Sequence, residues 1–217
     1  MKFLHYTLMP DSPIVSVYLK FQHADIISVS HATYDQLTYC DPLRAFEIMS
    51  AQDITQSSGS AVLYRPEKYT LIHYIPDLYG VTVVLQHQDT FAFFAVTAVS
   101  LPEHPFDSLI LLQEIMQRAE PYVVSLPHII AGHFQMPRWL NVSGDWLQEA
   151  GYHDLLGVLE IGPTRFRLGF WPEVADYVFY RGSIAAIECT VVPMRQPSGH
   201  SPIYVFFFIC DLTTMDL

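Results

Sequence analysis

Apolar residues recur along this chain mostly with a period of two, or in short unbroken runs, which is the pattern of strands. Lys2–Leu8, Ile26–Ser30, Ala61–Tyr64, Thr70–Ile75, Val81–Gln86 and Phe91–Val99 are apolar and rich in Val, Ile, Phe and Tyr. Ile129–Gly132, Ala175–Tyr180, Ala186–Val192 and Ile203–Ile209 continue the series. Several are apolar on both faces, as strands held between two layers are. Phe206, Phe207 and Phe208 must face both sides of the last strand and are expected to pack between sheet and helix layers. Helical spacing is rarer. Ser12-Pro13 reads as a cap and first turn, with Ile14, Val17, Tyr18 and Phe21 on one face behind it. A longer helix is predicted from Asp107, with Leu109, Leu112, Ile115, Met116 and Ala119 as its apolar face and Pro121 as its stop. Ser143-Gly144-Asp145 opens a short helix that Gly151 ends. Polar loops are expected at Ala51–Ser60 and Pro193–Pro202. The rhythm predicts an α/β sandwich of two sheets with helices outside.

Composition narrows the function classes. Hydrophobic residues make up 51% and charged residues 15%, with mean hydropathy +0.23, so the chain is neither disordered nor short of core. Net charge is −11 with 11 Lys+Arg, which argues against non-specific nucleic-acid binding. The 13 Tyr and 14 Phe are therefore read as packing between sheets and not as base-stacking platforms. Cys40, Cys189 and Cys210 form neither a CxxC pair nor a disulfide framework. No signal peptide or membrane-spanning segment is expected, which places the chain in the cytoplasm by default, with export by a signal-less route open. Asn141-Val142-Ser143 matches a glycosylation triplet without a secretory context to use it. Low surface charge leaves room for a protein partner, for which Trp139, Trp146 and Trp171 are candidate contacts or half-buried anchors.

The second half carries ordered motifs: IIAGHFQ at Ile129–Gln135, AGYHDL at Ala150–Leu155, ADYVFYRG at Ala175–Gly182 and SGHSP at Ser198–Pro202. ADIISVSH (Ala24–His31), KFLHYT (Lys2–Thr7) and FAVTAVSLP (Phe94–Pro102) precede them. In order and spacing this resembles the endonuclease/exonuclease/phosphatase superfamily, metal-dependent phosphodiesterases with a DNase-I-like fold, which implies a four-layer α/β (α+β) sandwich of two mostly antiparallel β-sheets flanked by helices, one domain over residues 1–217. The resemblance implies that His200 is the general base or phosphate-contacting histidine and that Asp176 orients it. It also implies a Mg²⁺ or Mn²⁺ site of oxygen ligands, and there the sequence departs from the pattern. Thr7 stands for the first-strand asparagine, His31 for the metal-binding glutamate and Ser100 for a histidine. His133 stands for an aspartate, Gln135 for an asparagine and Gly199 for a second aspartate.

These departures imply a divergent scaffold with a vestigial His200–Asp176 dyad. It is expected to be a non-catalytic binding or regulatory module without a cofactor, taking a protein partner or a small phosphorylated ligand. The alternative is a hydrolase with a rebuilt site in which His31, His133 and His200 hold Zn²⁺ or another transition metal, because imidazoles prefer such ions to Mg²⁺. Among the other histidines, His5 is expected in the cleft or the core. His73 and His87 are expected at the surface, His104 and His128 beside loops, His23 before the second strand and His153 in a turn.

Overall fold

The structure, a computed structural model, describes residues 1–8, 23–41, 43–51, 59–159, 163–167, 171–192 and 200–209. Alternating apolar residues build two six-stranded sheets. The first has the order β13-β14-β1-β2-β4-β3, from β1 (Lys2–Thr7), β2 (Ile26–Ala32), β3 (Glu47–Ser50), β4 (Gly59–Tyr64), β13 (Ile184–Val191) and β14 (Ile203–Ile209). The second has the order β5-β6-β7-β8-β12-β9, from β5 (Tyr69–Pro76), β6 (Gly80–His87), β7 (Phe93–Ser100), β8 (His128–His133), β9 (His153–Asp154) and β12 (Asp176–Arg181). β10 (Arg165–Arg167) and β11 (Trp171–Glu173) form a separate hairpin. Each large sheet holds one parallel pair, β1 with β2 and β7 with β8, and is otherwise antiparallel.

The sheets stack face to face. Phe3, Ile26 and Val62 from one meet Val83, Val96, Ile129 and Val178 from the other in a common core. The opposite face of the first sheet packs Leu4, Tyr6, Val29 and Leu63 against Leu37 of helix α1 (Tyr34–Cys40). The opposite face of the second packs Val99, Ile130 and Tyr177 against Leu112 and Ile115 of α2 (Pro105–Val123) and Leu147 of α3 (Val142–Glu149). A short α4 (Leu155–Val158) follows β9. The four-layer sandwich is the one expected.

Local chemistry explains where the helices begin and end. Thr33 and Gln36 form a capping box at α1, a signal that the sequence carries in plain form. Asn141 caps α3 through its side chain, which accepts from Gly144 N, so the glycosylation triplet is buried and occupied. Pro121 does not stop α2: the helix runs on to Val123. A proline there removes one backbone bond in a last turn that buried Val123 anchors to the sheet. The predicted helix at Ser12–Phe21 lies outside the described residues, as does Cys210. The Phe206–Phe208 expectation is corrected. Phe207 is buried between the sheets, while Phe206 and Phe208 are 40% and 57% exposed, because side chains alternate along a strand and no described helix covers that outer face.

His128 borders a loop as expected, at the first position of β8. It is fully buried in β8, bonded through Nε2 to Thr97 Oγ1 at 2.8 Å and through Nδ1 to the Tyr152 hydroxyl at 2.7 Å. Burial, with Arg181 nearby, pushes its pKa down to about 3. The unfolded chain, with a histidine pKa near 6.5, therefore binds a proton that the folded chain refuses between these values. Stability is expected to be level above pH 6.5 on this account and to fall as pH drops below it, by about 2 kcal/mol at pH 5. Urea unfolding of the wild type and His128→Gln at pH 7 and pH 5 checks this. The variant is expected to lose that part of the acid sensitivity, and equal slopes would contradict it.

Candidate functional site

Strand alternation gathers polar side chains at one end of the inter-sheet face. In β1 that face carries Phe3, His5 and Thr7; in β2, Ile26, Ser28 and Ser30; in β8, Ile129, Ala131 and His133. β7 adds Ser100 beyond Val96 and Ala98, and β12 opens with Asp176 before Val178. The apolar members make the core, and the polar ones lie where β1, β2, β7 and β8 end and β12 begins. Register fixes them against one another: Thr7 opposite Ser30, Ser100 opposite His133, and His133 opposite Asp176.

Asp176 is the hub. Its Oδ1 accepts from Thr7 Oγ1 at 2.6 Å and from His133 Nδ1 at 2.9 Å, and its Oδ2 accepts from His200 Nδ1 at 2.7 Å. The backbone N–H groups of Ala175 and Asp176 both donate to Thr164 Oγ1 at 3.1 Å, and Ser201 N donates to Thr164 O at 2.7 Å. Thr164 thus ties the start of β12 to the segment carrying His200. Ser30 Oγ donates to Val99 O at 2.7 Å and accepts from His133 N at 3.2 Å, joining the two sheets beneath the site. His5 Nδ1 bonds Ser28 Oγ at 3.2 Å, while its Nε2 lies 3.8 Å from Asp176 Oδ1, beyond hydrogen-bond reach and without a partner.

Burial opposes ionisation of Asp176, but the His200 and His133 imidazoles outweigh it and hold the carboxyl well below its usual range. Burial lowers His133, against the opposing pull of Asp176. An ionised carboxylate only accepts, so the protons of His133 and His200 sit on Nδ1 where those rings meet it.

His31 stands beside this hub and not within it. Its ring makes an edge contact with His133 at 5.0 Å between centroids, and His133 makes another with His200 at 4.8 Å. His31 Nε2 is bonded to Ser100 Oγ at 3.1 Å. Burial, then the neighbouring His133, pushes the His31 pKa down to about 4. His31 and Gln135 both hold left-handed backbone, with φ of 56° and 54°, a conformation that costs a residue with a side chain about 1 kcal/mol or more. Both line a cleft of about 300 Å³ with Tyr79, Ser100 and Leu101. His133, Asp176 and His200 lie beneath it at 4%, 1% and 1% exposure.

The structure therefore brings together His31, His133, Asp176, His200, Thr7 and Ser100 at one end of the sandwich, with Gln135 on the cleft wall. Gly199 lies outside the described residues. Sequence reasoning missed Ser28, Ser30 and Thr164 and left His5 undecided. For His5, Ser28 and Ser30 the signal was present, since each lies two residues from another inward-facing polar group or from a core residue on the same strand. Nothing in the sequence singles out Thr164. Trp139 is 83% exposed and Trp146 packs partly against the α3 core, whereas the Trp171 side chain is not among those described.

Among the described residues, one group of three or more His, Cys, Asp or Glu side chains is close enough to share an ion: His133, Asp176 and His200. That donor set does not fit Mg²⁺, which requires an octahedron of oxygens, usually carboxylates and waters. One carboxylate already bonded by Thr7, His133 and His200 cannot supply it.

No protein-family model and no curated protein matches the sequence. Solved structures do share its fold. A mannosyl-6-phosphatase from Bacteroides thetaiotaomicron superposes with a TM-score of 0.74 at 14% identity, covering 96% of this chain and 99% of that one. The human Nocturnin catalytic domain, with a bound sulfate, gives 0.74 at 11% identity, covering 97% and 94%. An endonuclease/exonuclease/phosphatase family protein from Bacteroides thetaiotaomicron gives 0.75 at 16% identity, covering 98% of each chain.

Proposed function

We propose that this chain, which has the fold of the endonuclease/exonuclease/phosphatase proteins, is a non-catalytic scaffold that acts as a binding or regulatory module. The observation that carries this reading is the saturation of Asp176. The buried acidic side chain of the hub spends both oxygens on Thr7, His133 and His200. The positions that would hold a hard cation present Thr7, His31, Ser100 and His133. Metal ions stabilise developing phosphoryl charge by several kcal/mol, so losing about 5 kcal/mol slows turnover by a factor of several thousand. Buried His200, bonded to Asp176 on one side, keeps the tautomer of a general base but lies under the cleft and not on its lining.

The module's ligand is read as a small phosphorylated molecule in the His31-lined cleft, or a protein that meets exposed Trp139. No described helix is long and apolar enough to cross a membrane, and a cytoplasmic setting suits Cys189, which is free, with burial raising its thiol pKa to about 12.

Turnover of aryl phosphomonoesters, aryl phosphodiesters, DNA and RNA with Mg²⁺ or Mn²⁺ tests the reading. Wild type and His200→Ala are expected to be equally inert. Robust turnover that His200→Ala abolishes would overturn it. A second reading, a transition-metal hydrolase on His31, His133 and His200, is favoured by the successive ring contacts of those residues, and is opposed by the His31 Nε2 bond to Ser100.

A further inference from the structure

We propose that His133, Asp176 and His200, with His5 as a fourth donor, form a closed structural site for one transition-metal dication, Zn²⁺ foremost. This goes beyond the non-catalytic reading: the ion would take the place of the imidazole hydrogen bonds to Asp176 and leave the hub just as closed to substrate.

The donors are chemically right for such an ion: three imidazoles and one carboxylate, the set that suits zinc and its neighbours and disfavours magnesium. They are also close. Ligand atoms of His133, Asp176 and His200 all lie within 4.8 Å of one another. Bonds of about 2.0–2.1 Å in a tetrahedron place ligand atoms about 3.3 Å apart. The separations here straddle that value, at 2.7 Å for His200 Nδ1 to Asp176, 2.9 Å for His133 Nδ1 to Asp176 and 3.8 Å for His5 Nε2 to Asp176. Small side-chain rotations bring the set to it, once the protons that His133 and His200 hold on Nδ1 pass to Nε2 and free the Nδ1 lone pairs for the ion.

The independent observation is His5. It is fully buried, its Nδ1 is held by Ser28, and its Nε2 points at Asp176 with no hydrogen-bond partner. An orphaned buried polar atom costs about 1–3 kcal/mol, and interiors keep few of them. An ion beside Asp176 satisfies that nitrogen and balances the buried carboxylate together. The site is sealed, with exposures of 0%, 4%, 1% and 1% for His5, His133, Asp176 and His200. Four protein donors without an open position are the mark of a structural ion, since a catalytic zinc keeps one position for water or substrate. The ion would clamp β1, β8, β12 and the segment entering β14, so its binding energy is stabilisation of the fold.

The test uses the full chain purified without a histidine tag, stripped with a chelator and dialysed against micromolar ZnCl₂. Elemental analysis is expected to give one zinc per chain, with a raised Tm that MgCl₂ does not reproduce. The zinc-edge absorption spectrum is expected to show a four-coordinate shell of nitrogen and oxygen. His5→Gln and His200→Gln should each weaken zinc at least about tenfold. His104→Ala, on an exposed histidine, should leave it unchanged. No retained zinc, or a six-coordinate shell, overturns the proposal. So does zinc that is weakened by His31→Gln and indifferent to His5→Gln, which assigns the ion to the open cleft. If His5→Gln does not fold, the wild-type stoichiometry and coordination number decide.

Discussion

Asp176→Ala is expected to destabilise the fold by about 3–5 kcal/mol, read as a shift in the urea midpoint at constant slope. The magnitude follows from what the carboxylate serves. Thr7, His133 and His200 all donate to it from buried positions in β1, β8 and the entry to β14. Truncation leaves three donors without an acceptor in an interior that water does not reach, and each such group costs about 1–3 kcal/mol. The losses are not additive, since the rings can shift toward the space vacated. Asp176→Asn keeps the shape but presents an amide N–H to an imidazole N–H on one side, so a smaller loss is expected. A change below about 1 kcal/mol for Asp176→Ala would mean that the network is a set of independent polar groups and not a shared hub.

Gly132→Ala is expected to be nearly as severe, at about 3 kcal/mol, for a different reason. A Cβ on Gly132 would lie 2.3 Å from the carbonyl oxygen of Val99 and 2.4 Å from its Cγ2. Val99 is the residue paired with Gly132 in the parallel β7–β8 ladder, one step from the Ser100–His133 pair. Backbone cannot yield there without dragging His133 off Asp176. The same substitution at Gly151 is a control. Nothing lies within 4 Å of its Cβ position, and only its φ of +84° resists, which is worth about 1 kcal/mol. Thermal unfolding of the two variants side by side is the measurement. Equal losses would show that the close approach at Gly132 relaxes without affecting the ladder.

Both expectations concern residues whose importance differs in how far the sequence reveals it. The strands were legible because burial on both sheet faces writes itself as runs of Val, Ile and Phe: β6, β7, β8 and β14 fall within two residues of their expected bounds. α2 was legible because Leu112, Ile115, Met116 and Ala119 repeat at helical spacing and do pack against the second sheet. What the sequence hid is set by tertiary context. β3, with the mixed run EIMS, becomes a strand because β4 offers it an edge. Pro121 looked like a stop because local sterics disfavour proline in a helix, yet packing of Val123 outweighs one missing bond.

At the site, His31, His133, Asp176 and His200 were found through the order of motifs around them. Their division of labour was not. Sequence treats His31 and His133 as equivalent replacements for acids, whereas β8 register delivers His133 to Asp176 and β2 turns His31 Nε2 to Ser100. His5 carries the period-two spacing that turns it inward, but a histidine there reads equally as core or cleft. Here it is both buried and aimed at the hub.

The central proposal is that the cleft of this DNase-I-like fold does not hold a hard cation. Mn²⁺ titration followed by electron paramagnetic resonance of the free aqua ion tests it most directly, because Mn²⁺ reports on the same oxygen-ligand chemistry as Mg²⁺. The account predicts that millimolar Mn²⁺ keeps its full free-ion signal in the presence of an equimolar amount of the protein. A stoichiometric loss of that signal, kept in His5→Gln and restored by His31→Ala, would contradict it.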